Sequence, residues 1–245
     1  MTYCVGINID AGLVLLSDTR TNAGVDNVAR FQKMFTWEVP GERVIVIMVA
    51  GNLSITQGVL TQINTDIEQA ANGEDVETIL NCKSLYRATE IVGGYMRALQ
   101  KHHHEAMANQ GISAGASMIL AGQRKGGRQR LFMIYAAGNF IESTRDTPFF
   151  QIGEHKYGKP ILDRVIQPDT SMEDAVKAVL VSMDSTLRSN LSVGMPLDLS
   201  VLLKDQYRVD TCYRIEQGDQ NFARLSSAWS DALRHAFMEL PEFHI

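Results

Sequence analysis

Blocks of short strands and pairs of helices follow one another along this chain, and that order restricts the folds open to it. Near the front, alternation of apolar and polar side chains predicts four strands. They cover residues 3–9, 12–18, 30–37 and 43–51. From Asn52 onward the apolar residues recur at helical spacing and predict two helices, at 52–72 and 74–107.

The same order returns in the second half of the chain. Strand patterns lie at 114–122, 130–136, 139–143 and 148–152, and helical patterns follow at 155–166 and 171–190. The end adds strands at 197–203 and 206–213 and a C-terminal helix at about 218–239. Strand blocks that alternate with helix pairs favour antiparallel sheets covered by helices. We therefore expect one α+β domain over residues 1–245, in which helices cover two antiparallel sheets.

The C-terminal helix carries one long apolar stripe. Its members recur every three or four residues and are Phe222, Leu225, Trp229, Leu233 and Phe237. Such a stripe is typical of a helix face packed on the core. The alternative is an interface with a partner, and the sequence leaves both possibilities open.

The composition excludes several classes of protein. Hydrophobic residues make up 45% and charged residues 21% of the chain, as in ordinary folded proteins, and a formal net charge of -5 offers no basic surface to nucleic acid. The apolar runs at 44–51 and 116–122 are much shorter than the roughly 20 residues that span a bilayer. Asn8, Asp10 and Asp18 stand where a secretory signal would have its apolar core. We expect a cytoplasmic protein with no nucleic-acid or membrane partner.

The cysteines give no sign of a bound metal. Cys4, Cys82 and Cys212 are far apart and have neither a CxxC pattern nor metal-ligand spacing. They are expected to be reduced packing residues, and the sequence calls for no metal and no cofactor.

Two charged residues fall on apolar faces of predicted strands. Because side chains alternate along a strand, Lys33 shares a face with the aromatic residues of 30–37, and Asp18 shares one with apolar residues of 12–18. A lone buried charge is strongly disfavoured, whereas a lysine and an aspartate on neighbouring strands offset one another. We therefore pair Lys33 with Asp18. The alternative is a lysine that reaches solvent at the sheet rim and an aspartate that closes a turn.

Thr2 gives this pair a chemical meaning. The strand pattern begins directly after Thr2, so the residue is expected to be held rigidly at the front of the chain. If Met1 is removed, the α-amino group of Thr2 lies beside its own hydroxyl. With a reference pKa of about 7.7–8.0, that amine can take the hydroxyl proton, and a nearby lysine ammonium favours its neutral form. A small second residue such as threonine permits removal of the initiator methionine.

These residues resemble a known family. The Thr2 start, the stretch SDTR at 17–20, Lys33 and the stretch MVAGN at 48–52 are similar to proteasome β-subunits and their bacterial peptidase relatives. The chain length, the segment SVGMPLDLSVL at 192–202 and the long C-terminal helix are most similar to a bacterial proteasome-like branch of that superfamily.

The resemblance implies an N-terminal-nucleophile hydrolase with a four-layer αββα sandwich, which cleaves amide bonds of a peptide or protein substrate and assembles into a homo-oligomeric ring. It assigns Thr2 as the nucleophile, Asp18 and Lys33 as the groups that tune the amine, and Gly51 as the backbone donor to the oxyanion. Gly51 suits that role on chemical grounds too, because it lies between a strand and a helix N-terminus, which favours negative charge. Ser192 is carried over as a further site residue. The sequence names no ATPase partner.

The chain also departs from the family pattern in two places. A Gly-Ser-Gly turn of the family corresponds here to residues 152–156, Ile-Gly-Glu-His-Lys, which contain no serine. An Asp-x-x-Ser-Gly-Gly motif corresponds to residues 189–194, which keep Ser192 and one glycine but lack the aspartate, for which Asp184 is a remote substitute. A ring-forming scaffold or binding protein with a silent site is therefore the competing hypothesis.

Overall fold

A computed structural model of the chain describes residues 2–23 and 27–244, except for the side chains at positions 22, 23, 27 and 28. In these residues the strands are β1 Tyr3–Ile9, β2 Gly12–Asp18, β3 Arg20–Ala23, β4 Asn27–Arg30, β5 Met34–Val39, β6 Arg43–Gly51, β7 Ala116–Arg124, β8 Arg130–Ile134, β9 Phe140–Glu142, β10 Phe149–Gly153, β11 Leu197–Leu203 and β12 Thr211–Ile215. The helices are α1 Leu53–Ala71, α2 Leu85–Ala108, α3 Lys159–Val165, α4 Met172–Ser189 and α5 Gln220–Met238.

The strands form two five-stranded antiparallel sheets and a separate hairpin. The first sheet has the order β10-β1-β2-β11-β12, and the second has the order β5-β6-β7-β8-β9. Strands β3 and β4 pair only with each other among the described residues. The predicted pair of antiparallel sheets is thus confirmed.

Three apolar clusters define four layers. Between the two sheets, Leu15 of the first sheet shares a cluster with Met48 and Ile119 of the second. The outer face of the second sheet packs against α1 and α2, and the outer face of the first sheet packs against α3 and α4. Because both faces of each sheet are covered, central strands such as β6 are almost continuously apolar. The αββα sandwich expected from the resemblance is confirmed.

Four predicted boundaries are wrong. The third helix begins at Lys159 instead of His155. The second helix begins at Leu85 instead of Glu74, because Ser84 caps its N-terminus by accepting the Arg87 N–H with its side chain. The predicted strand 30–37 is interrupted at 31–33, so Lys33 precedes β5 instead of lying within it. The last strand begins at Thr211 instead of 206, because a turn with positive φ at Asp205 and Tyr207 precedes it.

The C-terminal helix lies outside the layers. Phe222 packs against the cluster beneath α4, but none of the residues of α5 is buried. Leu233 and Phe237 are 49% and 71% exposed. In the single chain the apolar stripe is therefore a core face only at its N-terminal end.

Candidate active site

Thr2 is fixed in place by the backbone around it. The residue is buried, and its carbonyl accepts the Glu154 N–H at 2.7 Å. On the adjacent strand Gly153 has φ of 81°, and a Cβ at this position would lie 1.9 Å from the Thr2 carbonyl oxygen. Only glycine permits so close an approach. The start of β1 therefore holds Thr2 rigidly, as its sequence position predicts.

The Asp18 carboxylate and the Lys33 ammonium form a buried ion pair. Lys33 Nζ lies 2.8 Å from Asp18 Oδ1, and the two residues are 4% and 0% exposed. Asp18 also accepts the Tyr3 N–H at 3.1 Å and the Gly194 N–H at 3.2 Å. Burial raises the pKa of the Asp18 carboxyl, and the Lys33 ammonium and both backbone donors oppose that rise. These contacts place the Asp18 carboxylate next to Tyr3, the first residue of β1.

The route by which Lys33 reaches Asp18 differs from the predicted one. The sequence predicts neighbouring strands at 12–18 and 30–37, but β2 belongs to the first sheet and β5 to the second. Lys33 lies in the connection before β5, and its carbonyl accepts the Val49 N–H at 2.9 Å. Its ammonium also donates to the Arg20 carbonyl. The pair therefore links the two sheets across the sandwich.

Thr2, Lys33 and Gly51 line one small cavity of about 110 Å³. Its remaining walls come from the end of β6, the start of α1 and the hairpin, and they are Thr21, Val49, Ala50, Leu53 and Thr56. Gly51 has φ of 98°, and a Cβ there would lie 2.4 Å from the Gly115 carbonyl oxygen. The next residue, Asn52, caps α1 by accepting the N–H groups of Ser54 and Ile55. Thr2, Lys33 and the N-terminus of α1 thus border the same space.

Ser192 lies close to this site without lining the cavity. It is half-buried, and its N–H donates to Asn190 Oδ1 at 2.9 Å. The segment reaches Asp18 through the Gly194 N–H. Asp184, the remote substitute for the absent family aspartate, lies within α4 and accepts from Arg188 Nε at 3.2 Å. It lines no wall of the cavity at Thr2.

Sequence reasoning missed Arg20 as a structural part of this site. Its guanidinium donates to the Leu191 carbonyl at 2.9 Å and packs so closely on Gly194 that a Cβ there would lie 2.2 Å from Arg20 Nε. Arg20 therefore positions the loop whose N–H reaches Asp18. The motif SDTR contained this arginine, but no local pattern shows that a residue packs on a loop far along the chain.

The described residues offer little support for a cysteine nucleophile or for a metal site. Cys4 is fully buried, and burial, with a smaller contribution from the Asp18 carboxylate, raises the pKa of its thiol. In the described ranges no three His, Cys, Asp or Glu side chains are grouped so that they could hold a metal ion. No helix in that part of the chain is both long enough and apolar enough to cross a membrane.

Comparison with known proteins identifies the family. The model of the proteasome subunit family matches residues 2–202. Anbu from Hyphomicrobium sp. strain MC1 is 49% identical, with a TM-score of 0.89 over 99% of this chain and 100% of that chain. Anbu (ancestral beta-subunit) from Yersinia bercovieri is 40% identical, with a TM-score of 0.91 over 99% of both chains.

A third solved structure is that of a helical assembly of the Anbu complex from Pseudomonas aeruginosa. Its chain is 42% identical, with a TM-score of 0.91 over 99% of this chain and 98% of that chain. A comparison with curated proteins found no match. The family match and these full-length similarities agree with the resemblance inferred from the front of the chain and from 192–202. The chain therefore belongs to the proteasome subunit family.

Proposed function

We propose that this chain is a threonine-type peptidase of the cytoplasm, which uses Thr2 as an N-terminal nucleophile after removal of Met1. The observation that carries the proposal is the single cavity bordered by Thr2, Lys33 and Gly51, with the Lys33 ammonium 2.8 Å from the Asp18 carboxylate. A buried lysine–aspartate pair has no need of a neighbouring threonine for stability. Its position beside the first residue of β1 favours a chemical role.

In the proposed reaction the Thr2 hydroxyl oxygen attacks the carbonyl carbon of a peptide bond, and the free α-amine of Thr2 takes the hydroxyl proton. The carbon–nitrogen bond then breaks and the same proton passes to the leaving nitrogen, which leaves an ester between substrate and Thr2. A water molecule attacks this ester by the same proton route, releases the second product and restores the hydroxyl.

The surroundings of the cavity suit each step. The Lys33 ammonium disfavours a second positive charge nearby and so favours the neutral amine, and Asp18 holds that ammonium in position. The negative oxygen of the tetrahedral intermediate would form beside Gly51, where the N-terminus of α1 and backbone donors stabilise it. Arg20 holds the loop that contains Ser192, and the Gly194 N–H of the same loop binds Asp18. Ser192 and Arg20 therefore support the site indirectly.

We further propose that the chain works as a homo-oligomer. The similar protein from Pseudomonas aeruginosa forms a helical assembly. In the single chain the second half of the α5 stripe is exposed, with Phe237 71% accessible. Large exposed apolar side chains at regular helical spacing favour burial against another subunit.

A second candidate function is a scaffold with the same assembly and a silent site. The observation in its favour is that the chain lacks the serine and the aspartate that the family pattern has near its N-terminal nucleophile. Residues 152–156, which correspond to the Gly-Ser-Gly turn of the family, contain no serine, and Asp184 binds Arg188 and does not line the cavity. This candidate expects assembly without turnover.

The two candidates separate in an assay of peptide hydrolysis by two preparations of the full chain, one that begins at Thr2 and one that keeps Met1. An N-terminal extension turns the Thr2 amine into an amide, which cannot act as a base, so we expect the Met1-retaining form to be slower by about 100-fold or more. Intact mass establishes each terminus, and a trimmed Thr2→Ala variant measures the background. Equal rates for the two forms contradict the N-terminal mechanism. Absence of turnover from a trimmed, assembled protein favours the scaffold.

A further inference from the structure

Strand β12 is an outer strand of the first sheet, and the single chain leaves most of it exposed. In the order β10-β1-β2-β11-β12 it pairs with β11 only. Four of its five residues, from Thr211 to Arg214, are exposed, and only Ile215 is buried. By contrast, β1, β2 and β11 of the same sheet are buried along most of their length. One edge of β12 and most of both its faces are therefore open.

The hydrogen bonds of β11 show which residues of β12 face this edge. Lys204, directly after β11, donates its N–H to the Ala11 carbonyl at 3.0 Å, in the register that pairs β11 with β2. Because the direction alternates along a strand, residues at odd positions of β11 direct their N–H and C=O groups toward β12. Their partners in β12 are Thr211, Tyr213 and Ile215. The N–H and C=O groups of Cys212 and Arg214 therefore point away from the sheet.

Nothing in the described part of the chain takes up these outward groups. No side chain and no backbone group outside the sheet binds the N–H or the carbonyl of Cys212 or Arg214. The two residues thus present a donor and an acceptor each, at the spacing that an antiparallel strand requires. Edges of this kind are commonly protected by a lysine, a proline or a covering segment, and β12 contains neither lysine nor proline.

The charges around Cys212 suit pairing with a second copy of the same strand. Asp210 and Arg214 lie two positions before and after Cys212. Arg208 and Glu216 lie four positions before and after it. An antiparallel pair of β12 strands with a two-fold axis at Cys212 therefore puts Asp210 of each copy opposite Arg214 of the other. Opposite charges that face each other across a strand pair stabilise it.

Other registers of the same edge bring like charges together. An axis at Tyr213 places Asp210 opposite Glu216 of the second copy, and an axis at Arg214 places two arginines opposite each other. Like charges directly opposite destabilise a strand pair. With the axis at Cys212, the outward N–H and C=O groups of that residue form two hydrogen bonds with the same residue of the second copy. Charge and backbone direction thus agree on the axis at Cys212.

The charged side chains of this pair are already held in place in the single chain. Arg214 Nε donates to Asp198 Oδ1 at 2.8 Å, while the Arg214 side chain remains 50% exposed. Asp210 accepts the Leu203 N–H at 2.7 Å. Because both side chains are ordered before a second copy arrives, less conformational entropy is lost when the strands pair.

We propose that the β12 edges of two copies of this chain pair as antiparallel strands about a two-fold axis at Cys212. The pairing joins the first sheets of the two copies, five strands from each, into one continuous sheet. The contact uses no residue of α5, so a chain that also associates through α5 has two separate surfaces for assembly. It adds a contact to the homo-oligomer proposed above and does not depend on the peptidase reaction.

Cross-linking of the full chain tests this contact, because Cys212 is exposed whereas Cys4 and Cys82 are buried. In a hydrogen-bonded antiparallel pair the Cα atoms lie about 5.5 Å apart, within the range that a disulfide bridges. Copper-catalysed air oxidation should therefore produce a disulfide-linked dimer on a non-reducing gel, and Cys212→Ser should produce none. A parent protein that forms no linked dimer overturns the proposal.

Two further variants locate the axis and exclude linkage by chance collision. Both carry Cys212→Ser, and one adds Thr211→Cys whereas the other adds Tyr213→Cys. With the axis at Cys212, residue 211 lies opposite residue 213 of the second copy. A mixture of the two variants should therefore cross-link at least about tenfold faster than either variant alone. Equal rates for the mixture and the separate variants overturn the proposal.

A pair of substitutions at the axis tests the backbone contact without a cross-link. Cys212→Pro removes an N–H that points away from β11, so the ladder with β11 stays intact, and we expect dimerisation to weaken about tenfold or more. Cys212→Ser keeps that N–H and should stay within about twofold of the parent. Sedimentation equilibrium measures both in a Phe237→Asp background, which removes association through α5, and circular dichroism establishes folding. Unchanged dimerisation of a folded Cys212→Pro variant overturns the proposal, as does equal loss in both variants.

The outcome is separable from that of the proposed function. Linked dimers in a trimmed protein that hydrolyses no peptide support the β12 contact and contradict the peptidase. Assembly without a link at Cys212 means that the copies associate through another surface, and the β12 proposal then fails while the homo-oligomer stands.

Discussion

At the scale of residues, the Asp18–Lys33 pair bears both on the proposed chemistry and on the stability of the fold. Both side chains lie almost completely out of water, and such a pair is retained only if each charge is well partnered. Asp18 has the ammonium and two backbone donors, and Lys33 has the carboxylate and the Arg20 carbonyl among its partners. The sequence could predict this pair, because two charges on apolar stretches need each other. It could not predict the Gly194 and Arg20 contacts, which depend on tertiary packing.

Replacing one member of the pair should be costly, and replacing both should not. Lys33→Met leaves the Asp18 carboxylate buried without its cation, so we expect the free energy of unfolding to fall by roughly 3–5 kcal/mol. The double variant Lys33→Met with Asp18→Asn keeps similar volume without an unpaired charge and should recover much of that loss. Urea denaturation of the parent, both single variants and the double variant measures the coupling. Additive losses would show that the two groups do not act as a pair.

The loss caused by Lys33→Met should depend on pH. Burial raises the pKa of Asp18, and removing the ammonium takes away the largest opposing effect, so the native variant binds a proton at Asp18 more tightly than the unfolded chain does. Stability is then lost as pH rises above the unfolded value of about 3.9. Because burial raises the pKa of Asp18 in the parent too, the parent also loses some stability above about pH 4. We therefore expect the stability difference between parent and variant to grow between the Asp18 pKa of the parent and about pH 7. A difference that is constant over this interval would mean that Asp18 is not stranded by the substitution.

At the scale of elements, the segment between α1 and α2 shows where sequence periodicity fails. Residues 74–84 have apolar spacing suited to a helix. In the structure, however, α2 begins only at Leu85, after the N-cap at Ser84. Instead Arg43, buried at the start of β6, donates to the Ile79 and Cys82 carbonyls and holds the segment. The order of the main strands and helices was predictable from periodicity, although the β3–β4 hairpin was not. The boundary at Ser84 was not predictable either, because it depends on an arginine that is distant in sequence.

Removing the Arg43 side chain should release this segment. Arg43→Leu leaves two carbonyls without their buried donor, and we expect a loss of roughly 2–4 kcal/mol in the free energy of unfolding. The matched control is Arg124→Leu, which removes an arginine that also approaches Glu42 but whose side chain is 42% exposed, compared with 3% for Arg43. That control should change stability by less than about 1 kcal/mol. Hydrogen exchange should quicken at 76–84 in the first variant only, and faster exchange elsewhere instead would contradict the assigned role.

At the scale of the whole molecule, the four layers contain the buried apolar clusters. Helix α5 lies outside these layers and has no buried residue. The αββα order was predictable because strand blocks and helix pairs alternate along the sequence. The stripe on α5 was ambiguous from sequence, since a core face and an interface have the same periodicity. The structure separates its two halves: Phe222 packs on the cluster beneath α4, and Leu233 and Phe237 remain exposed.

Charge placed on the exposed half of the stripe should disrupt assembly without unfolding the chain. We expect Phe237→Asp to lower the molar mass measured by light scattering at micromolar concentration, because an aspartate is disfavoured in an apolar interface. The matched control is His235→Asp, which places the same residue on the opposite face of α5 at a side chain that is 78% exposed. The control should keep the mass of the parent. A monomeric parent, or equal dissociation of both variants, would remove α5 from the assembly surface.

The central claim is that the hydroxyl of Thr2 is the nucleophile, and mapping a covalent adduct tests it most directly. Protein that begins at Thr2 is treated with a peptide-derived electrophile, digested and sequenced by mass spectrometry, beside the Thr2→Ala variant and the folded Lys33→Met with Asp18→Asn double variant. The account predicts one adduct on Thr2 in the parent, none in Thr2→Ala, and much slower labelling in the double variant, which lacks the groups that favour the neutral amine. An adduct at any other residue, or no adduct on a correctly trimmed and assembled parent, would contradict it.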